Sequence, residues 1–262
     1  MPRANRHFLE GYVYHITHRC HDREFLLKHK WIKQRWLYWL AEAKKRFDVS
    51  IFNFCLTNNH IHLLASAPSS GDALAQMMHL VAGCTAQEYN RRRDHGGAFW
   101  QDRYHATAID SERHLLNCMV YIDLNMIRAG VVTNPKDWPY GGFHEVMGKK
   151  ARCRFIDRDR LLRYLSMQDA TRMQNMYRDI LMEKLAAQSM RQAYWTESLA
   201  VGEYAFVQQY EHALAGRAGR REIIKGDEDH YLKEACGEYS AVPALKIHIL
   251  SGDNAFPLGL AS

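Results

Sequence analysis

The chain has 262 residues, 47% of them hydrophobic, with 24% charged and 11% aromatic, which allows one sizeable core plus a smaller unit and excludes a disordered chain. Its 35 Lys and Arg outnumber 29 Asp and Glu, for a net charge of +6 and a pI near 9.0, and this favours a polyanionic partner such as nucleic acid. The leader MPRANRHFLEG is polar and basic, no window approaches the roughly 20 apolar residues of a membrane span, and the six cysteines form no C-x-x-C pair. The expectation is a cytoplasmic protein with reduced thiols, no membrane partner, no zinc ribbon and no disulfide framework.

Tyr12 to Thr17 (YVYHIT) is β-branched and aromatic and is predicted as a strand. Lys30 to Phe47 repeats apolar residues at helical spacing and ends in a basic turn. Two strands follow, Val49 to Leu56 and Ile61 to Ala65, joined by the turn-forming Thr57-Asn58-Asn59. A helix is predicted from about Asp72 to Arg92, then a strand from His105 to Ile109. Asp110-Ser111, with Glu112 behind it, then reads as the cap of a helix running to Ala129, where Gly130 ends it.

That order is the split βαβ pattern of a ferredoxin-like α+β sandwich with an antiparallel sheet and one further helix. Past Pro135-Lys136-Asp137-Trp138-Pro139 the texture becomes mainly helical (158–166, 169–187 and 203–214), so a boundary is placed near 145. Residues 1–145 form the expected catalytic unit and 146–262 a helical C-terminal appendage.

Two features carry chemistry. His60 and His62 stand two apart on a predicted strand, where alternate side chains share a face, while Ile61 and Leu63 turn to the opposite, buried face. Tyr121 and Asn125 are four apart on a predicted helix and share one side of it. Either feature alone is more often ordinary surface or core. Together, two neutral imidazoles and an amide oxygen suit a divalent ion, Mg²⁺ or Mn²⁺, with open positions to polarise a phosphate, and the phenol supplies a nucleophile. A tyrosyl phosphodiester stores the bond energy needed to rejoin strands.

NHIHLL resembles the His-hydrophobe-His (HUH) motif, and YIDLNMIRAGVV resembles the Tyr-Ile-x-x-Asn-Pro-Val-x-x-Gly segment of REP-associated, single-tyrosine transposases of the IS200-like superfamily. GYVYHITHR and FWQDRYHA also look like that family, over about residues 8 to 145. The resemblance implies His60, His62 and Asn125 as metal ligands and Tyr121 as the nucleophile of an HUH endonuclease and strand transferase. It further implies a substrate of single-stranded DNA and palindromic repeat hairpins, and a 5′-phosphotyrosine intermediate. Met126 stands where the family usually has proline, and the C-terminal region exceeds the family's minimum.

Basic residues near these motifs suit a DNA backbone: Arg3, Arg6, Arg19 and Arg23 around the first strand, Arg103 before the fourth, and Arg220 and Arg221 as a second patch for a hairpin stem. Action as a monomer is preferred over a homodimer. One competing reading is a domesticated transposase that binds repeat DNA without cutting it. Another is a metal-independent 2H phosphoesterase built on the H-x-T tripeptides at His15 and His105.

Overall fold

The computed structural model describes residues 8–67, 69–94, 96–148, 155–187, 191–214, 221–226 and 229–234. Its elements in chain order are β1 (Val13–Arg19), α1 (Lys30–Arg46), β2 (Ser50–Leu56), β3 (His60–Ser66), α2 (Gly71–Arg93), β4 (His105–Ile109), α3 (Arg113–Asp123), α4 (Asn125–Arg128) and α5 (Phe143–Val146). There follow α6 (Arg158–Tyr164), α7 (Ala170–Ala186), α8 (Tyr194–Glu197), β5 (Ala200–Gly202), α9 (Tyr204–Ala213), β6 (Arg221–Lys225) and β7 (His230–Glu234).

The strand order is β2-β3-β1-β4-β5-β7-β6. Its first four strands are antiparallel in the order a split βαβ unit demands, with β1 between β3 and β4, so the expected ferredoxin-like α+β architecture is present. The sheet does not stop there. β5 pairs with β4 in parallel through Ala108–Ala200 and Ile109–Val201, and β7 and β6 continue it. The mainly helical C-terminal region thus adds three strands that its sequence texture did not announce, and Arg221–Lys225, expected as a loop or basic patch among helices, is one of them. One buried cluster runs across the texture change near 145, from Val13 and Trp36 through Leu116 to Tyr177, Trp195 and Leu232.

Local chemistry explains most boundaries. Ser70 Oγ accepts from the Asp72 amide to cap α2, and the basic triplet Arg91-Arg92-Arg93 closes it against the helix dipole. The cap expected at Asp110-Ser111 does not form: α3 starts after Glu112, whose φ is 53°, with no side-chain capping bond. Asp110 is committed elsewhere, its carboxylate accepting from the amides of Ser111 and of Glu203 at the start of α9. The helix expected to reach Ala129 is interrupted at Leu124, which separates α3 from α4.

The turn before His60 is pinned from outside. Carbonyls of Asn58 and Asn59 accept from the amides of Leu27 and Cys20 at 3.0 and 2.8 Å. Buried Lys33 donates from Nζ to Asn58 Oδ1 at 2.9 Å and lies over the rings of Trp138 and Tyr140. Burial pulls the Lys33 ammonium down to about 8 from 10.5. The native state then holds fewer protons than the unfolded chain between those values, so folding stability gains as pH rises across the window. Lys33→Met is expected to lack that gain, read as a flatter dependence of the urea midpoint on pH than in the unmodified protein.

Among the described residues no helix is long and apolar enough to cross a membrane. Cys20, Cys55, Cys84 and Cys118 are free thiols; Cys153 and Cys236 lie outside the described residues.

Candidate active site

β3 sets His60 and His62 on one face, opposite Arg19 and Thr17 of β1, while Ile61 and Leu63 are fully buried on the other. α3 brings Tyr121 over that face: its ring centroid is 6.1 Å from His62 and 5.9 Å from His15. The histidine rings of the pair are 4.8 Å apart. Asn125 begins α4 one residue past the break, and its Nδ2 donates to the carbonyls of Tyr121 and Ile122, both at 3.1 Å. That leaves Oδ1 as its acceptor atom. His60, His62, Tyr121 and Asn125 line one cleft of about 490 Å³.

The hydrogen-bond network decides which nitrogens remain for a cation. His60 Nδ1 lies 2.7 Å from Asn59 Oδ1, which can only accept, so Nδ1 carries the hydrogen and Nε2 keeps its lone pair. His62 Nδ1 lies 2.9 Å from His15 Nε2, and His62 Nε2 is buried with no hydrogen-bond partner among the described residues. Burial keeps these imidazoles neutral, holding His15 down at about 3, His60 at about 4 and His62 well below its ordinary value. Among the described residues no group of three or more His, Cys, Asp or Glu could hold a metal. The donors that could hold a cation in this cleft are the two imidazoles and the Asn125 amide oxygen. The buried, unpartnered Nε2 of His62 fits that use.

Tyr121 is 4% exposed. Burial raises its phenol, and the guanidinium groups of Arg128 and Arg191 oppose the rise. Arg128 covers the Tyr121 ring at 4.4 Å and donates to its carbonyl at 2.6 Å. Arg191 lines the same cleft, held by Glu197 at 3.0 Å and Thr196 at 3.2 Å. Neither arginine was singled out in the sequence. Arg128 carried a signal, standing seven residues past Tyr121 on the predicted helix; Arg191 carried none.

Of the basic residues expected at DNA, Arg19, Arg23 and Arg103 line this cleft. Arg221 faces the C-terminal carbonyls of α9, Glu211 and Leu214, at 3.4 and 3.3 Å. Arg3, Arg6 and Arg220 lie outside the described residues. The two H-x-T tripeptides do not form an open pair of catalytic imidazoles: His15 is fully buried with both nitrogens engaged, and His105 Nε2 meets the Ser198 carbonyl at 2.9 Å.

A protein provisionally named a REP-associated tyrosine transposase in Haemophilus influenzae is 27% identical over 154 residues, covering 55% of this chain and 86% of that protein. A solved structure of a REP-associated tyrosine transposase bound to a REP hairpin aligns over 60% of this chain and 92% of its own, with a TM-score of 0.48 and 19% identity. The family model described as transposase IS200 like matches residues 9–125, the span that holds β1 to α3 and all four residues of the cleft constellation.

Proposed function

We propose that the chain is a metal-dependent, single-stranded DNA endonuclease and strand transferase acting on palindromic repeat hairpins, with Tyr121 as nucleophile. The observation that carries this reading is the shared cleft, where His62 Nε2 has no partner among the described residues and His60, donating from Nδ1 to Asn59, keeps its Nε2 lone pair, beside a tyrosine ring 6.1 Å from His62. The family match and the name of the Haemophilus influenzae relative support a transposase, and with it repeat DNA as the substrate.

His60, His62 and Asn125 would hold Mg²⁺ or Mn²⁺, which when bound supplies Lewis-acid polarisation of the scissile phosphate. The Tyr121 oxygen attacks phosphorus, the P–O3′ bond breaks, and the phenol proton ends on the released 3′ oxygen. The 5′ side stays on the enzyme as a phosphotyrosine, and a free 3′-hydroxyl reverses the step to join strands. Arg191 and Arg128 balance charge on the phenolic oxygen as it leaves. Arg19, Arg23 and Arg103 hold the strand through its phosphates. One copy supplies the nucleophile and the whole ligand set, so a monomer suffices.

The test is a labelled repeat hairpin with single-stranded flanks, incubated with Mn²⁺, Mg²⁺ or EDTA and run on a denaturing protein gel. A metal-dependent covalent adduct supports the reading. A hairpin complex that never yields an adduct supports the alternative of a repeat-binding protein that does not cut, and cleavage that persists in EDTA overturns the metal role.

Arg191→Ala is expected to slow adduct formation by about 10–100-fold, below the roughly 100–1000-fold cost of losing a buried charge-stabilising donor, because this side chain is half exposed. Hairpin affinity should change much less, since three other arginines remain in the cleft. Single-turnover rates and gel-shift titrations separate the two.

A further inference from the structure

The H-x-T tripeptides have no task in the proposed cleavage, yet β1 and β4 set them face to face, His15 opposite Thr107 and Thr17 opposite His105. Both reach the chain segment around α8. His105 Nε2 and Thr107 Oγ1 meet the Ser198 carbonyl at 2.9 and 2.7 Å. His15 Nδ1 lies 2.8 Å from the Trp195 carbonyl oxygen, and its Nε2 lies 2.9 Å from His62 Nδ1.

These contacts have only one consistent assignment of hydrogens. A carbonyl oxygen only accepts, so His15 Nδ1 carries the hydrogen. A neutral imidazole carries one N–H, so His15 Nε2 must accept. His62 therefore donates from Nδ1 and keeps the lone pair on Nε2, the buried atom left without a partner among the described residues.

We propose that His15 is a positioning residue which, braced by the Trp195 carbonyl, locks His62 in the Nδ1–H tautomer and aims its Nε2 lone pair at the divalent-cation site shared with His60. This rests on the metal-site reading above and deepens it. A partner behind a ligating imidazole fixes ring and tautomer and raises ligand basicity, and its loss typically weakens metal binding by about 10–100-fold. The bracing carbonyl belongs to a segment beyond residues 9–125, so the family core's ligand geometry is set from outside that core.

The discriminating variants are His15→Gln and His15→Leu. Glutamine can donate to the Trp195 carbonyl and accept from His62, preserving the polarity of the chain; leucine can do neither. Mn²⁺ affinity of the full chain without DNA, followed by electron paramagnetic resonance, is expected to stay near the unmodified value in His15→Gln and to fall about 10–100-fold in His15→Leu. Adduct formation by His15→Leu should recover at high Mn²⁺. Long-range ¹H–¹⁵N correlation of the metal-free protein should show His62 as the Nδ1–H tautomer in the unmodified chain and in His15→Gln.

An Nε2–H tautomer of His62 in the unmodified protein overturns the proposal, whatever the leucine variant does. So does folded His15→Leu that binds Mn²⁺ as tightly as the unmodified chain, and this leaves the nuclease reading standing. Absence of Mn²⁺ binding by the unmodified chain overturns both. Should His15→Leu fail to fold, the tautomer measurement together with His15→Gln still decides.

Discussion

Tyr121→Phe is expected to form no covalent adduct and to cleave a repeat hairpin slower by on the order of 10⁴-fold or more, the scale set by removing a covalent nucleophile. The fold should survive, because the change deletes one oxygen and leaves the ring between His15, His62, Trp195 and the Arg128 guanidinium. Hairpin affinity should be nearly unchanged, since the cleft arginines remain. Adduct formation by the phenylalanine variant would move the nucleophile to another residue.

Trp195→Ala is expected to cost about 3–5 kcal/mol of stability, the range for truncating a buried aromatic ring. Trp195 is 1% exposed, donates from Nε1 to Gln192 at 2.9 Å and packs on Tyr121 and Tyr194. α8 itself is only four residues long and has no capping side chain, so this ring supplies the apolar part of its hold over β1 and β4, beside the Trp195 and Ser198 carbonyls met by His15, His105 and Thr107. Urea unfolding followed by circular dichroism measures the loss. A cost under about 1 kcal/mol would mean the segment is anchored by its main chain alone. Trp195→Phe, which keeps most of the buried area, should lose less than half as much.

Much of the ferredoxin-like half was legible because its signals are local. β-Branched and aromatic content marked β1, helical spacing marked α1, and the Thr57-Asn58-Asn59 turn joined β2 to β3. α6, α7 and α9 were legible for the same reason, each falling within a residue or two of its expected span. β5 was not legible, because Ala200–Gly202 is too short to show any period and is a strand only because β4 and β7 flank it. β6 reads as a charged loop, since Arg221, Glu222 and Lys225 surround only two isoleucines and the strand pairs on one side alone.

At the site, the cleft constellation was visible because side-chain identity and spacing carried it. The brace behind His62 was invisible for a different reason: its anchor is the main-chain carbonyl of Trp195, an atom every residue type possesses. The expected single helix to Ala129 missed the break at Leu124 because no glycine or proline marks it. The side chain of Asn125 instead takes up the carbonyls of Tyr121 and Ile122.

The parallel pairing of β4 with β5 also orders events in time. Ala108 must find Ala200 across the whole intervening chain, and contacts of such sequence separation form slowly because the loop must close before the pairing repays it. During synthesis the four cleft residues leave the ribosome well before Trp195 and Arg191 do. A nascent or prematurely ended chain thus carries Tyr121 without the carbonyl and the guanidinium that complete its surroundings, and the finished cleft arrives with the segment around α8 rather than with the motifs.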